Sequence, residues 1–262
     1  MKFIRSFAVA IMTYSVIPMP NVKWEPDNTR YAIAFFPCVG IIIGALLYAW
    51  HYICGYVGLG NMIFAVGAIA IPVLITGGIH IDGYMDTIDA LASHTEKERM
   101  LEILKDSRVG AFAVIYEVLY MIIAFAVFAE IGLYTSYNGV IVLCIGYILS
   151  RGLSGLLASI LPNARQAGML NSMMGSREKK ITVGVCIWLG IVILMCVASM
   201  ACFGGALATV CMLAGAGVAC VYYGGRVVRK LGGITGDTSG YFLQICELYM
   251  LIGFYVSILL GR

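Results

Sequence analysis

The chain has 262 residues, of which 61% are hydrophobic and 12% charged, and its formal net charge is +3. Soluble domains average about 45–50% apolar and about 25% charged residues, so this composition excludes an ordinary soluble domain. The apolar runs are continuous and near the length of a spanning helix, which excludes a transmembrane β-barrel with its short alternating strands. No basic patch is interleaved with aromatic residues, so we expect no nucleic-acid partner.

The first apolar segment, residues 6–19, is too short to cross a bilayer and ends at Pro18 and Pro20. Basic residues lie on both sides of it. If both flanks are cytoplasmic, the segment cannot span, and we predict that it is interfacial or re-entrant. A cleaved signal peptide is the alternative, but no convincing small-x-small cleavage site follows.

The rest of the chain predicts an all-α, polytopic transmembrane bundle of about seven spanning helices in one integral-membrane domain, residues 1–262. The predicted spans are 31–55, 61–91, 109–132, 138–161, 181–202, 206–225 and 241–261. Loops without Lys or Arg alternate with loops that hold nearly all of these residues. The positive-inside rule therefore places the charged loops in the cytoplasm and the C-terminus outside. The basic residues at 226, 229 and 230 are typical of a juxtamembrane anchor for anionic membrane lipid.

Three carboxylates, Asp82, Asp86 and Asp89, end the predicted second span at its cytoplasmic side. Their spacing of four and then three residues places them on one face of a helix. Like charges at membrane depth are costly and usually mark a functional site. A divalent cation, or a cation carrying phosphate, is the simplest partner that would hold them together, and magnesium prefers such oxygen ligands.

Three further predicted cytoplasmic stretches bring polar groups to the same side of the bundle. Asp106 adds a fourth carboxylate, and Arg108 and Arg165 have the planar fork that binds phosphate oxygens. The loop GGITGDTSG at 232–240 contains Thr235 and Asp237 and precedes the last span. Such a loop can present backbone N–H groups to an anion, and Ser239 is a candidate N-cap.

Three ionisable residues, Glu117, Arg151 and Glu247, fall inside predicted spans. An unpaired charge there would cost several kcal/mol, so we expect them to pair with one another or to line a wet cavity. His80 precedes Asp82 by two residues and points away from the aspartate face on a helix. It is a candidate hydrogen-bond partner or substrate contact.

Several segments of the sequence resemble the cobalamin synthase family, also called the adenosylcobinamide-GDP ribazoletransferase family. The matching segments occur in the right order over most of the chain: RYAIAFFPCVGIIIGALL, TGGIHIDGYMDTIDAL, KDSRVGAF, LPNARQAGM (less fully) and GGITGDTSG. Asp82, Asp86 and Asp89 match the family's aspartate motif, Asp106 and Arg108 its DSR element, and Asp237 its final GD pair. Tyr84-Met85 and Ser93-His94 depart from the expected pattern, and these departures concern loop shape rather than the acidic positions.

The resemblance implies a magnesium-dependent phosphotransferase of the bacterial or archaeal cytoplasmic (inner) membrane, with its active site facing the cytoplasm. It would join adenosylcobinamide-GDP to α-ribazole, or to α-ribazole 5′-phosphate, and release GMP. A homo-oligomer is left open.

The roles that we assign on this basis fall into three sets. The expected metal ligands are Asp82, Asp86 and Asp106. The expected catalytic residues are Asp89 as general base, Asp86, and Arg108. The expected substrate-binding residues are His80, Arg151, Arg165, Thr235 and Asp237.

Two other classes stay open at the level of sequence. A lipid phosphotransferase of the CDP-alcohol class would carry DGxxAR after its first aspartates, whereas here Asp82-Gly83 is followed by YMDT. A cation transporter would place its carboxylates near the membrane midplane and often shows internal repeats, and we detect none.

Overall fold

The computed structural model describes residues 2–134, 137–165, 170, 173, 179–203 and 205–261. The predicted cytoplasmic loop 162–180 therefore lies partly outside the described residues. Within the described part the chain is helical, and the helices form one bundle. Six helices are long and apolar enough to cross a membrane, or seven spans result if one bent pair is counted as a single span. The predicted all-α polytopic bundle is confirmed.

The N-terminal helix α1, Lys2–Tyr14, has 13 residues and is not among the candidate spans. A bilayer core of about 30 Å needs about 20 helical residues, so α1 is too short to cross it. After the short helix α2, Pro26–Thr29, and a 3₁₀ turn, Ala32–Phe35, the first long helix α3 covers Phe36–Val57. Helix α1 packs on this whole entry segment, and Val9, Ala10 and Ile11 are buried there.

The predicted second span, 61–91, is not one helix, and here the sequence expectation was wrong. Helix α4, Asn61–Thr76, and helix α5, Ile79–Ala92, meet at an angle of 92°. Gly77 and Gly78 both have positive φ, +65° and +78°, between the two helices. Glycine adopts such angles without the steric penalty of a β-carbon, so the Gly-Gly pair makes the turn possible.

The remaining helices are α6, Lys97–Ile103; α7, Ala111–Tyr134; α8, Tyr137–Ile160; α9, Lys179–Phe203; α10, Ala206–Tyr222; and α11, Gly236–Leu260. Helix α10 runs on through π-helical turns, Tyr223–Val228, and a last turn, Arg229–Leu231. Helix α11 lies at the centre, packed on α5, α7, α8 and α10, while α3 pairs with α8 and α4 with α7.

Helix α11 begins at Gly236, five residues before the predicted start of the last span. Its N-cap is Thr235, whose hydroxyl accepts a hydrogen bond from the Thr238 amide, while the Thr238 hydroxyl accepts one from the Thr235 amide. This reciprocal capping box replaces the cap that we expected from Ser239. As a result, Asp237 and Ser239 belong to the first turn of α11 rather than to a loop.

Candidate active site

The crossing of α5 with the first turn of α11 is the centre of the candidate site. A β-carbon on Gly83 would lie 2.7 Å from the Asp237 carbonyl oxygen, and one on Gly240 would lie 3.1 Å from the His80 carbonyl oxygen. The absence of a β-carbon is required for this approach at Gly83, while at Gly240 it relieves a tight contact. The approach brings the α5 carboxylates beside Asp237, which is 155 residues from Asp82 in the chain by the sequence numbering.

The carboxylates form a like-charged group at this crossing. Asp86 has Asp82, Asp237 and Asp89 as acidic electrostatic neighbours, and Arg165 is the cation that acts on it. Asp82 is exposed, whereas Asp86, Asp89 and Asp237 are partly buried. Mutual repulsion in a partly desolvated setting favours binding of a cation. The shared helix predicted for Asp82, Asp86 and Asp89 is confirmed.

Asp89 has contacts of a different kind from its neighbours. Its two carboxylate oxygens accept hydrogen bonds from the Gly110 amide at 2.6 Å and the Ala113 amide at 2.9 Å. These amides belong to the N-terminal turn of α7, where backbone N–H groups lack partners within the helix. The negative charge also complements the positive end of the helix dipole. Asp89 therefore anchors the start of α7 to α5.

Two loops are joined beside Asp237 by an isolated parallel bridge between Asn163 and Ile234. The Ala164 amide donates to the Ile234 carbonyl, and the Ile234 amide donates to the Pro162 carbonyl, both at 2.8 Å. This bridge positions Arg165, whose Nη1 lies 3.5 Å from a carboxylate oxygen of Asp237 and whose Nη2 donates to the Leu101 carbonyl at 2.9 Å. The predicted convergence of Arg165 and Asp237 is present in the structure.

Asp106 and Arg108 lie in the loop between α6 and α7 and bind each other. Arg108 donates to Asp106 from its backbone amide, Nε and Nη2, the last at 2.6 Å. These hydrogen bonds lower the pKa of Asp106 to about 2 and raise the pKa of Arg108. The Arg108 side chain is 86% exposed. The loop is held near α5 by the Asp89–Gly110 contact, but the structure does not place the Asp106 carboxylate among the α5 carboxylates.

A cavity of about 220 Å³, here named the site cavity, opens beside the crossing. Of the predicted residues, His80, Asp82, Arg165, Thr235 and Asp237 line it. Thr235 is 5% exposed and uses its hydroxyl mainly to cap α11.

The residues of the site cavity that sequence reasoning missed include two aromatic ones, Tyr14 and Phe36. Tyr14 lies within the segment 6–19, for which we predicted only an interfacial or re-entrant role. Phe36 lies within the RYAIAFFPC stretch that carries the family resemblance, but no local signal marks it as a site residue.

A second cavity of about 60 Å³, the inner cavity, lies deeper in the bundle and shares His80 with the site cavity. Arg151 and Glu247 line it and form an ion pair of 2.5 Å. Arg151 is 1% exposed and also donates to the Tyr147 carbonyl and the Ser150 hydroxyl. The expected pairing of buried charges is confirmed for these two residues. Glu117 is different, since both of its carboxylate oxygens are buried without a hydrogen-bond partner in the described part of the chain.

The donor set at the α5–α11 crossing suits a hard cation, although not as a closed protein cage. Among the described residues, no three His, Cys, Asp or Glu side chains lie close enough together to hold a metal ion by themselves. Magnesium is usually bound through one or two carboxylates, with substrate phosphates and waters completing its coordination. Asp82 and Asp86, four residues apart on one helix face, match that mode.

Comparison with known proteins gives a consistent result over nearly the whole chain. Residues 6–255 match the family described as Cobalamin-5-phosphate synthase. A protein of Lachnoclostridium phytofermentans named adenosylcobinamide-GDP ribazoletransferase is 37% identical over 249 residues, which cover 95% of this chain and 92% of that protein. A protein of Clostridium perfringens with the same name is 31% identical, covering 94% of this chain and 95% of its own. A Polaromonas protein with that name is 29% identical, with 98% of each chain covered. No solved structure gives a significant match.

Proposed function

This chain belongs to the cobalamin-5-phosphate synthase family, and from that premise we propose the reaction that its site performs. It transfers the cobinamide phosphate of adenosylcobinamide-GDP to α-ribazole, or to α-ribazole 5′-phosphate, and releases GMP. This is the nucleotide-loop step of cobalamin assembly. The observation that carries the proposal is full-length similarity to ribazoletransferases, 37% identical in one case. Such similarity favours this activity over a CDP-alcohol phosphotransferase or a cation transporter.

We place the reaction at the α5–α11 crossing and assign it a magnesium ion held by Asp82 and Asp86. The support is the like-charged carboxylate group, its partial burial and the presence of Arg165 as a cation that acts on Asp86. Magnesium bound there would neutralise the diphosphate of the donor, which phosphoryl transfer requires more than covalent catalysis by the protein. We do not include Asp106 among the metal ligands, because both of its carboxylate oxygens accept hydrogen bonds from Arg108.

We place the bond that forms and the bond that breaks beside the residues that line the site cavity and its entrance. A ribose 3′-hydroxyl oxygen of the acceptor attacks the phosphorus nearest the cobinamide, and the bond from that phosphorus to the bridging oxygen breaks. GMP takes the bridging oxygen, and the hydroxyl proton passes to a carboxylate. Arg165, beside Asp237, can bind the phosphate oxygens, and Arg108, whose Nε and Nη2 donate to Asp106, can do so through the remaining Nη1 of its exposed guanidinium.

We assign the removal of the proton to Asp237 rather than to Asp89. Asp237 lines the site cavity and is partly exposed, so a bound hydroxyl can reach it. Both oxygens of Asp89 already accept backbone N–H groups of α7, a contact that fits a positioning residue. A general base must lie within hydrogen-bond reach of the proton it takes.

We further propose that the chain lies in a bacterial or archaeal cytoplasmic (inner) membrane and that the site faces the cytoplasm. Helix α6 contacts α5 and the last turn, Arg229–Leu231, which places charged residues of both segments near the end of the bundle where α5 meets α11, in agreement with the positive-inside rule. The nucleotide substrates would then be supplied from the cytoplasmic side. Contact with anionic lipid and homo-oligomerisation stay predictions.

The decisive assay is release of GMP by the purified protein in lipid nanodiscs. We expect GMP only when adenosylcobinamide-GDP, the α-ribazole acceptor and Mg²⁺ are all present. Asp82→Asn should abolish the reaction, while Glu102→Gln, a change at an exposed carboxylate on α6, should not alter it. GMP release without the acceptor would indicate a hydrolase and contradict the proposal, as would full activity in the presence of EDTA.

A further inference from the structure

The site cavity has two chemically different ends. Among its lining residues, Asp82, Asp237 and Arg165 interact electrostatically and define one end, while the rings of Tyr14, Phe36 and His80 contact one another and define the other. His80 and Asp82 are two residues apart in the first turn of α5 and both line the cavity, so the two groups are contiguous. A molecule that fills the cavity must therefore combine a flat apolar part with a polar part that tolerates carboxylates.

The volume of the site cavity indicates which of the two substrates it can hold. Pockets for drug-sized ligands generally have volumes of about 300–1,000 Å³, so a cavity of about 220 Å³ admits one small molecule or part of one. The corrin ring of the donor is far larger than this. The acceptor, α-ribazole, consists of a flat benzimidazole base on a ribose and has the required two-part character.

The three aromatic rings form a continuous surface at their end of the cavity. The ring centroids of Tyr14 and Phe36 are 4.2 Å apart, and those of Phe36 and His80 are 5.6 Å apart. The Tyr14 and His80 rings are near parallel, with an interplanar angle of 26°. Aromatic surfaces of this kind bind flat bases by stacking, which is worth about 1–3 kcal/mol for each base.

His80 adds a polar feature to this apolar end. The residue is 6% exposed, and its Nε2 has no hydrogen-bond partner among the described residues. Buried polar atoms are nearly always paired, and His80 lines both the site cavity and the inner cavity, so its unpaired Nε2 is a candidate partner for a molecule bound in either. The unsubstituted ring nitrogen of a benzimidazole has the complementary chemistry.

We propose that the Tyr14–Phe36–His80 end of the site cavity binds the heteroaromatic base of the acceptor nucleoside. The ribose then lies beside Asp82 and Asp237, where its hydroxyl faces the acidic residues of the reaction centre. The proposal rests on the proposed function, because it assigns the smaller substrate of that reaction to this cavity.

The test is the KM for each substrate in variants of Tyr14. We expect Tyr14→Leu to raise the KM for α-ribazole about fivefold to a hundredfold, the equivalent of one lost stacking contact, and to leave the KM for adenosylcobinamide-GDP unchanged. Tyr14→Phe keeps the ring and should keep the wild-type KM. Phe7→Leu is the matched control, since Phe7 is on the same helix, equally half-buried and outside the cavity. An unchanged acceptor KM in Tyr14→Leu would overturn the proposal.

A second measurement tests the role of His80 and separates this proposal from the proposed function. Calorimetry measures the affinity for α-ribazole alone, and we expect this affinity to fall in His80→Leu. A phenolic analogue without the ring nitrogen should bind the wild type and this variant with equal affinity. Binding of α-ribazole that depends on Tyr14 in a protein that releases no GMP would contradict only the proposed function. Normal GMP release with no effect of Tyr14→Leu or His80→Leu on the acceptor would contradict only the base-binding assignment.

Discussion

Replacement of Gly83 by alanine should slow turnover sharply in a protein that still folds, because Gly83 sets the distance between α5 and α11. The new β-carbon would lie 2.7 Å from the carbonyl oxygen and 2.9 Å from the Cα of Asp237. Ordinary contact begins at 3.4 Å, so one backbone must retreat by about 0.7 Å, the difference between these distances. Neither atom belongs to a flexible side chain that could move aside.

The size of the effect follows from this displacement. Overpacking of a well-packed contact costs about 1–3 kcal/mol of stability. A misplacement of about 1 Å near reacting groups can cost about a hundredfold in rate. We therefore expect kcat for GMP release to fall by about tenfold to a hundredfold.

Steady-state GMP release in nanodiscs, together with thermal unfolding of the same samples, measures both quantities. Gly217→Ala is the matched control, because Gly217 is also helical and a β-carbon there meets nothing within 4 Å. The reasoning would be refuted if Gly83→Ala kept the wild-type kcat while remaining folded, since the close approach of the two helices would then not set the geometry of the site.

Three further outcomes follow from the same geometry. Asp237→Asn should reduce kcat by about a hundredfold to ten-thousandfold, the usual contribution of a general base. Asp89→Asn should have a smaller effect on kcat and a larger effect on thermal stability. If kinetic and unfolding assays show instead that Asp89→Asn has the larger effect on kcat, Asp89 is the base. Asp86→Asn should inactivate the enzyme yet raise its unfolding temperature in EDTA, because one of several repelling carboxylates is removed; a lower unfolding temperature would count against the like-charged cluster. Glu247→Gln should destabilise the protein by about 3–5 kcal/mol because it leaves Arg151 buried without its counter-ion; a raised KM with unchanged unfolding would instead assign Arg151 to substrate binding.

Much of the architecture was predictable because it depends on properties that a sequence displays directly. Length and apolarity of the runs predicted the spans, and helical spacing placed Asp82, Asp86 and Asp89 on one helix. The bend at Gly77–Gly78 was missed, since two glycines in an apolar run are equally typical of close helix packing. Only backbone angles distinguish a turn from a packing contact.

The residue types at the site were predictable from the sequence, but the contacts of each residue were not. The sequence shows which residues are acidic, but not what each acid contacts across the fold. The contact of Asp89 with the start of α7 links residues 21 apart in the chain, and nothing local to Asp89 indicates it. The commitment of Asp106 to Arg108 is a short-range contact that the DSR element could have suggested. The aromatic end of the cavity depends on the packing of α1 against α3 and α5, which no pattern in α1 predicts.

Binding of Mn²⁺ as a paramagnetic substitute for Mg²⁺ tests the central claim most directly. Electron paramagnetic resonance of the nanodisc-embedded protein would measure the affinity for Mn²⁺ with and without adenosylcobinamide-GDP. The proteins compared are the wild type, the double variant that carries both Asp82→Asn and Asp86→Asn, and the control Glu102→Gln. We expect the donor to tighten Mn²⁺ binding in the wild type and in the control, and the double variant to lose this binding. Equal Mn²⁺ affinity in the wild type and the double variant would contradict a metal site on α5.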